Sequence, residues 1–351
     1  MLSPRPVIVA IRLRQFGDVL ATLGALEALK AQWPEGRVVY VVDERYHPLL
    51  RGVAFVDELL PSPPRVTGPA ALGNFVRYVA RLRAMRPTAV VDFHGNARSA
   101  FVTLLTGAKA RAGFEVRGRR HAYTTVEPRA VFDGAVIRRR NSLESALALV
   151  ARLGAAVPGA ALPPRIDVDE ALVQRSRGRL ASVGVPARAI EEGRVVGVNP
   201  GLPYPAKAWS LDRWGSLAKR LVERGRHVVV LWGPGEQEDA LSIVERTGRG
   251  ASVAPPTTIE ELAGVVKALS LVVTIDSGLK HLAVCLRVPT VTLFGSTDPR
   301  EWHVGTPDDR WLWRGLSCSP CRLRACPFGT PCMDIETREV LGAIDSIEGK
   351  R

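Results

Sequence analysis

Asp276 ends a run of β-branched residues, and Ser277, Gly278 and Leu279 then open an apolar-periodic segment that also carries His281. A buried strand delivering an acid and small residues to a helix start gathers unbonded backbone N–H groups and the positive end of the helix dipole at one point. An anion can dock there. Asp18, after Gly17, stands at the same kind of corner near the N-terminus. A carboxylate in that place can accept the proton of an attacking hydroxyl; the same residue can instead cap its helix, a contribution of about 1 kcal/mol. Lys207 lies in the Gly/Pro-rich loop 199–209, NPGLPYPAKAW, which suits a phosphate contact or an ordinary exposed lysine. Glu236 follows Gly233-Pro234-Gly235. It can accept hydrogen bonds from two ribose hydroxyls or complement a helix dipole, and the turn lacks the third glycine of a dinucleotide fingerprint.

Four of the five cysteines, Cys318, Cys321, Cys326 and Cys332, have the spacing C-x2-C-x4-C-x5-C. That is compact enough for one structural zinc, and it is also met by reduced thiols on a tight loop or by a redox-labile pair. Cys285 falls in an apolar helix and reads as a small core residue. Asp167-Val168-Asp169 spells the acid-any-acid pattern of metal-dependent sugar transferases, but it precedes a polar helix and reads as a solvated helix start. No other His, Asp or Glu cluster has metal-ligand spacing, and neither a P-loop nor G-x-S-x-G is present.

The elements that must position these residues alternate. Strand-like runs at 7–13, 38–42, 89–93, 195–198, 228–231, 271–275 and 290–294 are separated by helical patterns at 19–31, 72–85, 211–223 and 258–269, the last capped by Thr257 or Thr258. The third strand brings Asp92 and His94 to its end. Such alternation argues for parallel sheets with helices on both faces. The stretch 154–164, GAAVPGAALPP, is the linker. With 351 residues the chain exceeds what one core usually holds, so two domains are expected, 1–160 and 161–351.

Hydrophobic residues make up 46% and charged residues 24%, an ordinary globular balance. No apolar run approaches the roughly 18 residues of a membrane span, and the N-terminus does not read as a signal peptide; a cytoplasmic protein is expected. The net charge of +13 fits either an acidic partner or an arginine-rich solvated surface. The clusters Arg117-Gly118-Arg119-Arg120-His121 and Arg138-Arg139-Arg140 favour the acidic partner, while the aromatics are too few for a single-strand nucleic-acid platform.

Taken together, these blocks resemble glycosyltransferase family 9, the ADP-heptose:lipopolysaccharide heptosyltransferases. The resemblance runs nearly end to end. It rests on GDVLATLGALEALK at 17–30, VGVNPG followed by K-x-W at 196–209, GPGE at 233–236, IDSGLKHLAVCLRVPTVTLFGSTDP at 275–299 and CSPCRLRACPFGTPCM at 318–333. Two departures stand out. Leu202 and Pro203 occupy positions where founding members carry adjacent threonines, and Gly24 replaces a common proline.

The resemblance implies a GT-B fold: two Rossmann-like domains whose parallel sheets face a central cleft, the N-terminal one binding the acceptor and the C-terminal one the nucleotide sugar, with the last helix packing back on the N-terminal domain. It implies inverting transfer of heptose from ADP-heptose to the lipopolysaccharide inner core, with no cofactor and no divalent metal, at the inner face of the cytoplasmic membrane and without nucleic acid. By position, Asp18 would be the base, Lys207 a diphosphate contact, Glu236 a ribose contact, Thr257 an adenine-side contact and Asp276 a partner of heptose hydroxyls. Ser277, Gly278 and Leu279 would offer N–H groups to the diphosphate, with His281 beside them. Arg98, Arg117, Arg119 and Arg120 are the candidates for an anionic acceptor. A sugar-nucleotide epimerase on the same scaffold and a non-catalytic nucleotide-sugar-binding protein are the alternatives.

Overall fold

The computed structural model describes residues 2–62, 69–133, 136–158, 163–201, 204–303 and 305–349. The chain divides into two compact units, Met1–Pro164 and Arg165–Arg351. Residues 159–162 of the expected linker, and Leu202 and Pro203, lie outside the described residues.

In the N-terminal unit the elements run β1 (Val7–Ile11), α1 (Phe16–Gln32), β2 (Arg37–Val42), α2 (His47–Leu50), β3 (Glu58–Pro61), α3 (Pro69–Ala84), β4 (Ala89–Asp92), α4 (Ala97–Leu105), β5 (Ala110–Phe114), β6 (Thr125–Glu127), β7 (Ala130–Asp133), β8 (Val136–Arg139) and α5 (Ser142–Ala151). Among the described residues the main sheet has the order β3-β2-β1-β4-β5-β6, and its pairs are parallel. Central β1 pairs Val9 with Val39 on one side and with Val90 on the other. Both faces of these strands are covered, so they read as unbroken runs of Val and Ile rather than as an alternation. One face packs Val9, Ile11, Val39, Val41 and Val90 against Leu82 of α3 and Val102 of α4. On α1, a Cβ at Gly24 would stand 2.6 Å from Leu143 of α5. Glycine at this position lets α5 lie close against α1.

The C-terminal unit runs α6 (Glu170–Ser182), α7 (Ala187–Glu191), β9 (Val195–Asn199), α8 (Leu211–Glu223), β10 (His227–Val230), α9 (Gln237–Thr247), β11 (Ala251–Val253), α10 (Ile259–Lys267), β12 (Leu271–Ile275), α11 (Gly278–Cys285), β13 (Thr290–Phe294), α12 (Pro299–Trp302), β14 (Asp309–Trp313) and α13 (Thr337–Glu348). Its sheet repeats the order, β11-β10-β9-β12-β13-β14, again with parallel pairs. The outer strands of each sheet grow away from β1 or β9 in opposite directions. That reversal of strand order is the place where open α/β sheets bind ligands, beyond the carboxyl ends of the strands. Each half is thus a Rossmann-like unit, and the chain has the two-domain GT-B architecture.

Two further features belong to the C-terminal unit. Helix α13 buries Val340, Leu341, Ile344 and Ile347 in the core of the C-terminal unit with Leu221, Val291 and Leu293. Asp169 caps α6, accepting from the Ala171 N–H at 3.0 Å, and Asp167 pairs with exposed Arg165, so this acid pair is a helix start.

Candidate active site

The chain leaves β1 through 12–15 and enters α1 from Gln15, whose φ of 69° is in the left-handed region and whose side chain makes no cap. Asp18 lies in the first turn. Its carboxylate pairs with the Arg12 guanidinium, and both side chains are mostly buried. Arg12 also donates to the Phe93 carbonyl just past β4. One arginine therefore ties the acid at the end of β1 to the neighbouring strand end, where Ile11 and Asp92 are register partners.

Asp92 is fully buried and organises the turn beyond it. It accepts from the backbone N–H groups of His94 at 3.0 Å and Gly95 at 2.9 Å, from Ser99 Oγ at 2.8 Å and from Tyr123 Oη at 2.7 Å. Burial raises its pKa, and these donors only partly offset that. Gly113 lies under the Tyr123 ring, where a Cβ would come within 2.3 Å. The turn so held presents His94. Burial and the charges of Arg12, Arg14, Arg98 and Arg129 push its pKa down to about 4, so the ring is neutral near pH 7, and its buried Nδ1 has no hydrogen-bond partner. Arg14, Arg45 and Arg98 line a cavity of about 540 Å³ with Tyr46 and Ser62. Of the arginines expected for the acceptor, Arg98 joins this group and Arg119 holds the Gly95 carbonyl. Arg117 and Arg120 stand exposed on the segment after β5. Arg12, Arg14 and Arg129 were missed. The first two are legible only as cations just ahead of Gly17-Asp18, and Arg129 arrives from a distant loop.

In the C-terminal unit Asp276 follows β12 and is buried. Lys207 Nζ donates to its Oδ2 at 2.8 Å and to its carbonyl at 3.1 Å, Thr297 Oγ1 donates to Oδ2 at 2.8 Å, and Lys280 Nζ donates to Oδ1 at 3.0 Å. Burial alone would raise the Asp276 pKa; Lys280 and Lys207 overcome it and hold the acid well below the usual carboxylate range. Lys280 is wholly buried, also donates to the Trp302 carbonyl at 2.7 Å, and lies 5.0 Å from the Phe294 ring centroid. Sequence reasoning missed Lys280 and Thr297. The spacing of Lys280 four residues after Asp276 was the available signal for the first.

Ser277 is the N-cap residue of α11 but makes no side-chain cap; its hydroxyl lies 3.3 Å from Thr274 Oγ1. The N–H groups from Gly278 and Leu279 onward head the helix without a capping side chain, beside the Lys207 ammonium. His281, buried in the same helix, is held far below the ordinary histidine range by burial and by Lys280. Glu236 precedes α9 and accepts from the Gly233 N–H at 2.8 Å. Thr257 is half-buried directly before Thr258, whose capping box with Glu261 starts α10.

The turn carrying Lys207 is anchored from two sides. Trp209 is buried edge-on against Trp214 and donates to the Ile335 carbonyl at 2.8 Å. The Ala206 N–H donates to the Arg324 carbonyl at 3.0 Å, and the Arg322 N–H donates to the Ser296 carbonyl at 2.8 Å, so the cysteine-bearing segment grips both loops around Asp276. Its four cysteines are free thiols, as is Cys285. Burial and the neighbouring thiols push the Cys332 pKa up. Among the described residues no three His, Cys, Asp or Glu side chains gather to hold an ion. Cys285 is a core residue, its thiol pushed up to about 12 by burial.

Known proteins resemble this chain over most of its length. Lipopolysaccharide heptosyltransferase 1 of Pseudomonas aeruginosa is 25% identical over 339 residues, covering 92% of this chain and 87% of the relative. The crystal structure of a family 9 glycosyl transferase from Veillonella parvula matches with a TM-score of 0.86 at 20% identity, covering 100% and 99% of the two chains. That of E. coli ADP-heptose LPS heptosyltransferase II matches at 0.77 and 21%, covering 98% and 99%. The model of glycosyltransferase family 9 (heptosyltransferase) matches residues 75–331. With two Rossmann-like units and a family model that matches most of its length, the chain is a glycosyltransferase and belongs to glycosyltransferase family 9.

Proposed function

We propose that the chain transfers heptose from ADP-heptose to the inner core of lipopolysaccharide, with inversion and without a divalent metal, at the inner face of the cytoplasmic membrane. The observation that carries this reading is the buried Asp276 between two lysines, beside a helix start left uncapped. Negative charge grows on the leaving diphosphate as the bond from its oxygen to the anomeric carbon breaks. Lys207 and the N–H groups of Gly278 and Leu279 would stabilise it there. Glu236 would take the ribose, Thr257 the adenine side, and Asp276 the heptose hydroxyls, with His281 a neutral neighbour. On the N-terminal unit Asp18 would take the proton of the acceptor hydroxyl as its oxygen bonds to the anomeric carbon, a single displacement that inverts the centre. Arg12 would hold the Asp18 carboxylate in place. Arg14, Arg98 and the other arginines around His94 suit an acceptor bearing carboxylates and phosphates. The names of the Pseudomonas and E. coli proteins support both substrates. Among the described residues no helix is long and apolar enough to cross a membrane.

The test pairs calorimetric ADP binding with transfer to a deacylated core oligosaccharide. Asp18→Asn should bind ADP as the parent does and lose transfer by about 10³-fold or more. Lys207→Met should weaken ADP binding about tenfold. Transfer by Asp18→Asn at the parent rate would refute the base, and donor turnover without any acceptor would point to an epimerase instead.

A further inference from the structure

Most exposed apolar side chains of a globular protein stand singly and need no explanation. Here four of the largest stand together. Leu72 is 68% exposed, Val76 57%, Phe101 51% and Leu104 43%, and all four lie on α3 and α4. Phe75 and Phe101 stack across the two helices with ring centroids 5.8 Å apart, joining the patch into one surface. On α3 the positions Leu72, Phe75, Val76 and Val79 have the spacing of a core-facing stripe, yet only Val79 is buried. The stripe runs out of the core into solvent.

Cations predominate along this stretch of chain, although Arg81 of α3 pairs with Glu58. From 59 to 114 the sequence holds eight Lys and Arg and a single acid, Asp92, which is fully buried. Arg77 and Arg83 are exposed on α3. An apolar stripe flanked by the exposed cations Arg77 and Arg83 suits the boundary between acyl chains and anionic headgroups. It does not suit a second copy of the same face, because a symmetric pairing would bring these arginines against one another. Position adds to the argument: α4 is capped by Asn96, four residues beyond Asp92, so it starts at the strand ends where Asp18 stands.

We infer that the outward face of α3 and α4 docks the N-terminal unit on an anionic lipid bilayer. The inference deepens the proposed activity, since an acceptor built on a lipid is then presented from the same membrane. Leu72, Val76 and Phe101 insert among the headgroups, and Arg77 and Arg83 pair with phosphates.

The test sediments the full chain with vesicles of phosphatidylglycerol and phosphatidylcholine, and with phosphatidylcholine alone. The parent should bind the first, release at high salt, and ignore the second. The triple variant L72S/V76S/F101S should lose at least about tenfold in vesicle affinity. The charge variant R77E/R83E should do the same on the anionic vesicles. Both should keep the parent's melting curve and its transfer to a deacylated, water-soluble acceptor. Three results would overturn the inference: a parent that ignores anionic vesicles, variants that bind them as the parent does, or a parental dimer that the triple variant dissolves. Patch-dependent vesicle binding without any transfer would sink the activity and spare the surface. Transfer without vesicle binding would do the reverse.

Discussion

Lys280 is the residue whose removal tests the electrostatics of the donor side most directly. Asp276 accepts from Lys280, Lys207 and Thr297, and the Lys280 ammonium is wholly buried. Removing one partner of a buried pair costs about 3–5 kcal/mol when the other is stranded. In Lys280→Met the stem is kept and Asp276 retains Lys207 and Thr297, which places the loss near the lower end, about 3 kcal/mol. For a unit of this size each kcal/mol moves Tm by about 2–4 °C, so a drop of about 6–12 °C is expected. A second effect is particular to the shared carboxylate. With Lys280 gone, Lys207 is the only cation paired with Asp276 among the described residues, and turning it toward a diphosphate would strand the acid. ADP affinity should fall about tenfold, or 1.4 kcal/mol. In D276N/K280M the charge to be balanced is absent, so much of the lost Tm and most of the ADP affinity should return while transfer stays low. Thermal melts and ADP titration of the two single variants and the double variant decide it. A Lys280→Met protein with parental Tm and ADP affinity would refute the reasoning, and so would losses that simply add in the double variant.

Arg12→Met should lower kcat at least about tenfold and leave ADP binding unchanged, since Arg12 acts on Asp18 and not on the donor; equal kcat in a steady-state assay would contradict its role. Tyr123→Phe takes one of four side-chain and backbone donors from buried Asp92 and should cost about 1–3 kcal/mol. Gly113→Ala pushes a Cβ into the Tyr123 ring and should cost a similar 1–3 kcal/mol or so, with losses that do not add to those of Tyr123→Phe in urea unfolding. Stability should fall as pH drops below about 6.5, the ordinary histidine pKa. His281 and His303 are held below that value by burial, His303 down to about 4, so the unfolded chain binds protons that the folded one refuses. For His281 the slope is up to about 1.4 kcal/mol per pH unit, and a series of melts from pH 7 to about 4 reads it. Asp276 adds a further loss below about pH 4, where the unfolded acid protonates and the folded one does not.

The strands were the most legible part of the fold. The runs 271–275 and 290–294 coincide with β12 and β13, because a parallel strand covered on both faces leaves an unbroken β-branched signature. Helix α1 starts at Phe16, not at 19, since its entry depends on a strained Gln15 and no capping side chain marks it. Helix α4 was not anticipated: Asn96 and Ser99 form its capping box, but Ser in place of Glu or Gln hides the pattern. At the site, the turn residues Asp18, Asp276 and Ser277 could be read from their places at strand ends. Their partners were less legible, Lys280 offering only its spacing of four from Asp276. Arg12 meets Asp18 only once the corner is folded, and a lysine inside an apolar-periodic stretch, such as Lys280, has no local mark that separates burial from exposure. Gly24, which departs from the proline common in the family, finds its reason only in the contact with Leu143.

The cysteine-bearing stretch is stitched by main-chain bonds to Ala206 and Ser296, the immediate neighbours of Lys207 and Thr297. Those two side chains both donate to Oδ2 of the Asp276 carboxylate. Any adduct, oxidation or truncation that pulled this late stretch away would loosen both donors to that oxygen at once, although neither donor is a thiol. Labelling of the thiols and occupancy by nucleotide should therefore report on each other, with bound ADP slowing the reaction of reagents at Cys332 more than at exposed Cys318.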